Sequence, residues 1–211
     1  MNWAAEFPVT YCISEGSLSG SDPDDHRAAI IERVRIASCC GIDLFQVREK
    51  GLDTDVLFQL SKEAVKAARD TKLKVLVNDR VDVALSAGAA GVHLPSNGLP
   101  VSAVRSSTPA GFVIGVSTHS LEDVIAASSD GADFAVLGPV FHSPGKPTHT
   151  GLDMLKEVCS AAAPFPILAL GGIDESNFQM ALDAGAFGYA SIRYLNAVLD
   201  GRVRLEKMGP I

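Results

Sequence analysis

Eight short apolar runs alternate with longer segments of helical periodicity along the 211 residues of this chain. In the segments between the runs, apolar residues recur three and four positions apart, which predicts amphipathic helices. Strands that alternate with helices are typical of a parallel sheet covered by helices. Eight strands close a (β/α)8 barrel, and a flavodoxin-like open sheet is the alternative fold. The predicted strands are residues 9–14, 44–48, 74–78, 91–94, 112–116, 134–138, 166–170 and 187–191.

Three similar phrases favour the barrel over the open sheet. They are A-G-A-A-G-V-H, D-G-A-D-F-A-V and D-A-G-A-F-G-Y, and in each a helix ends at glycine before small residues lead into the next strand. Ser120, which precedes acidic residues, predicts a helix N-cap. With 47% apolar residues, the chain is long enough for one sizeable core. We therefore expect an α/β fold, a single (β/α)8 TIM barrel over residues 1–211, with its active site at the C-terminal face of the strands.

Charge and cysteine content narrow the class of protein. A formal net charge of −7 and a pI near 5.2 argue against a protein that coats nucleic acid or an anionic membrane. No segment approaches the ~20 apolar residues of a membrane span, and the first residues lack the pattern of a signal peptide. Four cysteines without C-x-x-C spacing predict reduced thiols. We expect a cytoplasmic protein with small-molecule partners, and the sequence leaves open whether it forms a homo-oligomer.

Two segments are too polar to be strands or amphipathic helices. Residues 14–26, rich in Ser, Gly and Asp, predict a flexible loop after strand 1, either a lid or a plain insertion. Residues 142–151 contain two Gly, two Pro and Lys146, which predicts a flap at the active-site face. His142 and His149 could pair on a metal, but seven residues apart in a loop they are expected to face solvent.

Polar side chains stand at the ends of most predicted strands, where a barrel carries its chemistry. Each residue alone has a structural explanation, such as a salt bridge between Arg48 and Glu49 or an interior hydrogen bond for His93. Together they place several cations and amide donors where an anion could bind. The set comprises Gln46, Arg48, Lys50, Asn78, Asp79, His93, Ser117, His119 and, in the loop after strand 6, Lys146.

The last two strands predict a second anion site. Gly171 and Gly172 follow strand 7, where backbone N–H groups can approach a phosphate, and A-S-I-R ends strand 8. The loops after these two strands form the usual phosphate site of the barrel. Arg193 either adds a charge to this site or is a solvated helix residue.

These residues resemble the family of thiamine phosphate synthases and TenI-like thiazole tautomerases. The matching phrases run in order from about residue 42 to 195: Q-V-R-E-K, V-N-D-R-V-D-V-A, G-A-A-G-V-H-L, I-G-V-S-T-H-S, G-A-D-F-A-V-L-G-P-V-F, G-K-P, T-G-L and A-L-G-G-I. The resemblance implies a transferase that joins hydroxymethylpyrimidine diphosphate to hydroxyethylthiazole phosphate with Mg²⁺, releasing pyrophosphate.

The resemblance also implies a role for each site residue. Ser117, His119 and Lys146 take the catalytic roles, and Asp79 ligates Mg²⁺. Gln46, Arg48, Lys50, Asn78, Ser143 and Lys146 bind the diphosphate substrate, and Gly171, Gly172, Ser191 and Ile192 bind the thiazole phosphate.

Three features depart from the synthase pattern. Gly98 stands where a second Mg²⁺-binding carboxylate is expected, Ser143 is the one hydroxyl residue retained in the flap before its lysine, and Arg193 replaces a small residue. The phrase L-P-S is closer to the tautomerases, which isomerise a thiazole carboxylate phosphate without metal and use a histidine equivalent to His119. A tautomerase does not require Arg48, Lys50 and Asp79 together, so their joint retention favours the synthase. A non-catalytic protein that binds thiazole phosphate or thiamine phosphate, or another barrel enzyme for phosphorylated substrates, remains an alternative.

Overall fold

Eight parallel strands close into a barrel in the computed structural model, which describes residues 8–16, 23–146 and 148–204. Each strand pairs with its sequence neighbours, and β8 closes on β1, so the expected barrel is confirmed and the open sheet is wrong. The strands are β1 Val9–Ile13, β2 Leu44–Val47, β3 Lys74–Asn78, β4 Gly91–Leu94, β5 Val113–Thr118, β6 Phe134–Leu137, β7 Ile167–Leu170 and β8 Gly188–Ser191.

One helix follows each strand and packs its apolar face on the outside of the barrel. The helices are α1 Pro23–Cys40, α2 Thr54–Ala67, α3 Val81–Ala87, α4 Val101–Ser107, α5 Leu121–Ser129, α6 Gly151–Ala161, α7 Phe178–Asp183 and α8 Arg193–Leu199. The predicted cap of α5 is confirmed, because Ser120 and Asp123 form a reciprocal capping box. None of the helices in the described part of the chain combines the length and apolar character needed to cross a bilayer.

A separate apolar cluster fills the barrel interior and forms the floor beneath the strand ends. It includes Tyr11, Phe134 and Leu76, none of which is exposed to solvent. The Tyr11 hydroxyl accepts a 2.6 Å hydrogen bond from the side-chain amide of Gln46. The rings of Tyr11 and Phe134 meet edge to face with centroids 5.7 Å apart. Polar groups that emerge above this floor are therefore held by a rigid base.

The loop predicted after strand 1 is shorter than expected. Residues 23–26 belong to the first turns of α1, so this part of the expected loop is helical. Pro23 begins the helix. Proline is accommodated in the first turn because backbone N–H groups there have no partner within the helix, so the absence of an N–H costs nothing. Residues 17–22 of the expected loop lie outside the described residues, and residues 14–16 are considered with the site below.

Candidate active site

A cavity of about 600 Å³ opens at the C-terminal ends of the strands, where the barrel rule predicts the site. All but one of the residues expected to form the site line it, and the exception is Asp79. Asp79 instead lines a neighbouring cavity of about 380 Å³, which shares Lys50, Asn78 and Asn97 with the larger one. The expected residues that line the larger cavity are Gln46, Arg48, Lys50, Asn78, Ser117, His119, Ser143, Lys146, Gly171, Gly172, Ser191 and Ile192.

Besides Arg193 at its rim, three cations line the larger cavity, and they come from the loops after β2 and β6. Arg48 is half-buried, whereas Lys50 and Lys146 are exposed. Within residues 8–16, 23–146 and 148–204, none of the three forms an ion pair. The salt bridge considered for Arg48 and Glu49 is therefore wrong. Unpaired cations from two loops around one cavity create a positive potential that favours a bound polyanion.

Glu49 turns away from Arg48 and ties two loops together below the cations. Its side chain is 3% exposed and accepts a 2.6 Å hydrogen bond from the Ser14 hydroxyl and a 3.3 Å bond from the Gly16 N–H. The Ser14 oxygen in turn accepts a 2.8 Å bond from the backbone N–H of Arg48. The loop after β1 is thus linked to the loop that carries Arg48 and Lys50.

Ser117 and His93 meet on adjacent strands at the cavity floor. The Ser117 Oγ lies 2.9 Å from Nε2 of His93, which is 3% exposed. Burial, with a smaller contribution from the charge of Arg48, lowers the pKa of His93 to about 3. His93 is therefore a neutral imidazole near pH 7. It lies in the barrel interior and forms a hydrogen bond there, which is one of the interpretations that the sequence offered for it.

His119 lines the cavity and has one ring nitrogen hydrogen-bonded to the backbone. Its Nδ1 lies 2.6 Å from the carbonyl oxygen of Gly138, and a carbonyl only accepts, so Nδ1 donates. In the neutral ring Nε2 is then the hydrogen-bond acceptor. The backbone N–H of His119 donates to Asp123 at 2.8 Å, which fixes the residue at the start of α5.

Gly171 and Gly172 form a turn after β7 that only glycine can adopt. Their φ angles are 99° and 67°, and a Cβ on either residue would lie 2.4 Å from an atom of the loop after β6. In the described part of the chain, neither N–H of the pair has a hydrogen-bond partner. Two unpaired amide donors at the cavity wall are suited to a phosphate group.

The loop after β6 packs against this turn and carries Lys146. Phe141 N–H donates to the Gly171 carbonyl at 3.0 Å, so the base of the predicted flap is bound to the glycine turn. Its two ends are joined by a 2.8 Å bond from Thr150 N–H to the Pro139 carbonyl. His142 and His149 are both exposed on this loop. The segment is therefore anchored at its base and exposed at its tip.

Asp79 has an unusual backbone conformation beside the smaller cavity. Its φ is 64°, its N–H donates to the His93 carbonyl at 2.8 Å, and its side chain is exposed. Within the described ranges no three His, Cys, Asp or Glu side chains cluster as a metal site. One carboxylate with the amides of Asn78 and Asn97 fits Mg²⁺, which proteins often hold by one or two carboxylates and substrate phosphates. At Gly98 there is no side chain to add a second carboxylate.

Several residues of this site escaped the sequence reasoning. Ser14 and Glu49 are linked only when two loops meet, and Asn97 lines both cavities although no motif marks it. A glutamate between two cations in Q-V-R-E-K is a weak signal, because surface glutamates commonly stand beside cations. Arg193 lines the larger cavity and is exposed, as expected for a residue at its rim.

Comparisons with known proteins place this geometry in a family. Residues 19–195 match the thiamine monophosphate synthase family. The chain is 37% identical over 163 residues to the thiamine-phosphate synthase of Coprothermobacter proteolyticus, covering 76% of this chain and 77% of that protein. It is 39% identical over 161 residues to the thiamine-phosphate synthase of Methanoculleus marisnigri, covering 75% and 76%.

A solved structure agrees with these relatives. Thiamine phosphate pyrophosphorylase from Pyrococcus furiosus superposes with a TM-score of 0.76 at 30% identity, over 91% of this chain and 87% of that one. The family match spans the cation cluster, the serine and histidine pair and the glycine turn. The chain therefore belongs to the thiamine monophosphate synthase family.

Proposed function

We propose that this protein is a thiamine-phosphate synthase, a transferase that joins hydroxymethylpyrimidine diphosphate to hydroxyethylthiazole phosphate and releases pyrophosphate. The observation that carries the proposal is that cations without ion pairs and unpaired backbone amides line different parts of one cavity, which supports two anion-binding regions. Arg48, Lys50 and Lys146 form the first, and the unpaired amides of Gly171 and Gly172 form the second. A reaction between two phosphorylated substrates requires two such regions side by side.

The cations stabilise the leaving group. As the diphosphate departs from the benzylic-type carbon, negative charge grows on its oxygens, and fixed positive charges lower the energy of that transition state. Arg48 and Lys50 approach from the loop after β2, with the Asn78 amide beside them, and Lys146 approaches from the flap. Ser143 lines the cavity from the same flap. Closure of the flap then excludes water from the reactive carbon.

Asp79, Asn78 and Asn97 are the residues that would hold Mg²⁺ with the diphosphate. When bound, Mg²⁺ neutralises part of the diphosphate charge and helps it to depart. Asp79 supplies the single carboxylate of the group, so substrate phosphates and water would supply further oxygen ligands to Mg²⁺. This division of ligands predicts weak Mg²⁺ binding by the free protein and tighter binding with diphosphate present.

The second substrate is held at another part of the same cavity. Gly171 and Gly172 donate their amides to its phosphate, together with the turn at Ser191 and Ile192 that ends β8. Ser117 and Gln46 line the floor between the two regions and orient the pyrimidine. This arrangement brings the thiazole nitrogen to the carbon that the diphosphate leaves, which is the advantage of binding both substrates in one cavity.

The His119 geometry makes thiazole tautomerisation the second candidate. An acceptor nitrogen at the cavity can take up and return a proton, and this chemistry needs only one phosphate site. The relatives above are named as synthases, and a tautomerase does not require Arg48, Lys50 and Asp79 together. These observations favour the synthase over the tautomerase and over a non-catalytic binding protein.

A cytoplasmic location is part of the proposal. All four cysteines are free, which suits a reducing compartment, and the substrates are small phosphorylated molecules.

The test is to incubate the purified protein with both synthase substrates and follow pyrophosphate and thiamine phosphate at several Mg²⁺ concentrations. The thiazole carboxylate phosphate is tested in parallel for conversion between tautomers. Mg²⁺-dependent formation of both products is the expected result. Tautomer conversion without condensation would overturn it in favour of the second candidate, and ligand-induced stabilisation without turnover would leave a binding protein.

A further inference from the structure

We infer that His93 is a positioning residue that fixes the Ser117 hydroxyl as a hydrogen-bond donor toward the bound substrate. The inference rests on the proposed function for the identity of the substrate, but its central claim concerns two side chains of the free protein. It predicts that the substrate presents an acceptor atom, such as a ring nitrogen or a phosphate oxygen, to Ser117.

The two residues are held in place by the strand register. His93 on β4 pairs with Gly115 on β5, so Ser117 stands two residues further towards the cavity on the same side of β5. Gly115 leaves room for the Phe134 ring, because a Cβ there would lie 2.3 Å from that ring. The His93 ring packs within 5.7 Å of the Tyr11 ring and 6.1 Å of the Phe134 ring, measured between centroids. Its orientation is therefore set by packing.

The polarity of the pair follows from the other ring nitrogen. His93 Nδ1 is buried and has no hydrogen-bond partner in the described part of the chain. A neutral imidazole carries one N–H, and a buried N–H without a partner is rarer in proteins than an acceptor left unpaired. The hydrogen therefore belongs on Nε2, where the Ser117 oxygen lies 2.9 Å away and accepts it. Nδ1 then keeps only a lone pair.

Ser117 is left with a free hydroxyl hydrogen. Its oxygen already accepts from His93, and no other hydrogen bond to this side chain exists among the described residues. Ser117 lines the cavity, so the hydrogen is available to an acceptor atom of a ligand. The opposite tautomer would reverse this polarity and make Ser117 an acceptor. The tautomer of His93 at the cavity floor thus selects which substrate atom the serine binds.

The contacts around the ring favour its neutral form. A charged imidazole would carry a second N–H at the buried Nδ1, where no acceptor lies within reach in the described part of the chain. No carboxylate forms a salt bridge or hydrogen bond with the ring in the described residues. The ring therefore carries a single N–H, and the Ser117 oxygen is the acceptor placed to receive it.

The direct test is nitrogen-15 NMR of the native protein with labelled histidine, with His93→Gln used to assign the His93 signals. The expected spectrum shows a protonated Nε2 and a pyridine-type Nδ1 at pH 7. A protonated Nδ1 would overturn the inference, whether or not the protein makes thiamine phosphate. Failure of the proposed function would instead appear as missing products with the expected tautomer intact.

A double-mutant cycle tests the link to the substrate. Ser117→Ala is expected to lower kcat/KM about 10- to 100-fold, and His93→Phe to lower it by a similar factor. The double variant should be no slower than Ser117→Ala, since His93 acts through the serine. His93→Gln, which restores an N–H donor, should recover part of the rate. Losses that multiply in the double variant, or no recovery with Gln, would contradict the positioning role.

Discussion

The hydroxyl of Ser14 donates a 2.6 Å hydrogen bond to the buried carboxylate of Glu49, and this contact joins the loop after β1 to the loop that carries two cations of the site. Ser14 also accepts from the backbone N–H of Arg48 at 2.8 Å. The link supports the cations from below while leaving their charges unpaired. Glu49 stands between Arg48 and Lys50 in the sequence, but its carboxylate accepts hydrogen bonds from Ser14 and Gly16 instead of pairing with either cation.

Removing this link should cost stability and diphosphate affinity together. Ser14→Ala leaves the Glu49 carboxylate and the Arg48 N–H short of a partner, which costs about 1–3 kcal/mol in the free energy of unfolding. Urea unfolding measures that loss, and steady-state kinetics should show a higher KM for the pyrimidine diphosphate. Ser128→Ala, at an exposed position of α5, is the control and should change stability by less than about 0.5 kcal/mol. Equal effects of the two variants would refute the supporting role.

Lys146 is the cation that should matter most for departure of the leaving group. Lys146→Gln removes a charge from the flap and keeps a similar length, and we expect kcat to fall about 100-fold because charge stabilisation in the transition state is lost. Pyrophosphate release measures the effect. Lys156→Gln, on the exposed surface of α6, is the matched control and should leave kcat unchanged. A fall in kcat of less than threefold for Lys146→Gln would rule out this role.

Asp79 should control Mg²⁺ binding in the presence of diphosphate. Asp79→Asn keeps the left-handed backbone, which Asn tolerates, but removes the one carboxylate. Calorimetric titration of Mg²⁺ into protein with pyrophosphate should show affinity reduced at least about tenfold, because hard cations prefer carboxylate oxygens. Asp70→Asn is the matched control, since Asp70 has the same φ of 64° but precedes β3 at the opposite end of the barrel. Unchanged affinity in Asp79→Asn would exclude Asp79 as a ligand.

The buried His93 should make the fold sensitive to acid. In the unfolded chain the imidazole binds a proton near pH 6.5, whereas the folded state resists protonation down to about pH 3. The unfolded state therefore holds more protons between these values, and stability falls as pH decreases, by at most about 1.4 kcal/mol per pH unit for this one group.

Comparison with His93→Gln isolates this contribution. Glu63, Asp82 and Asp200 also have pKa values lowered by arginine partners, so the native protein loses stability in acid for other reasons as well. Urea unfolding of both proteins at pH 7, 5.5 and 4.5 gives the difference in slope. The variant should lose less stability per pH unit than the native protein. Parallel curves would show that His93 does not contribute.

The sequence predicted the barrel well because strand burial is a local pattern. The run predicted at 74–78 is β3 itself, and the one at 134–138 differs from β6 by one residue. Gln46 and Ser117 were found because barrel strands place their polar ends at one face. The predicted loop extended to residue 26, so the start of α1 was placed too late in the sequence. Pro23 begins the helix, and proline is a favoured first residue of a helix.

The remaining features depend on contacts between loops. Asp79 lines the smaller cavity because its backbone is left-handed, and nothing in N-D-R distinguishes that conformation from an ordinary turn. Glu49 is buried only because the loop after β1 folds over it. The sequence indicated His93 as a candidate residue but did not indicate its hydrogen bond to Ser117. That bond depends on the register between β4 and β5, which the sequence of one strand alone does not specify.

The bond between Phe141 and Gly171 has a consequence for how the two substrates influence each other. It joins the backbone that leads to Lys146 to the glycine turn that we propose binds the thiazole phosphate, so we expect a rearrangement of one to affect the other. Thermodynamic linkage is reciprocal: if the thiazole substrate stabilises the closed flap, it tightens the diphosphate by the same factor that the diphosphate tightens it. After reaction, pyrophosphate and thiamine phosphate should likewise retain each other, and departure of the first product should hasten that of the second.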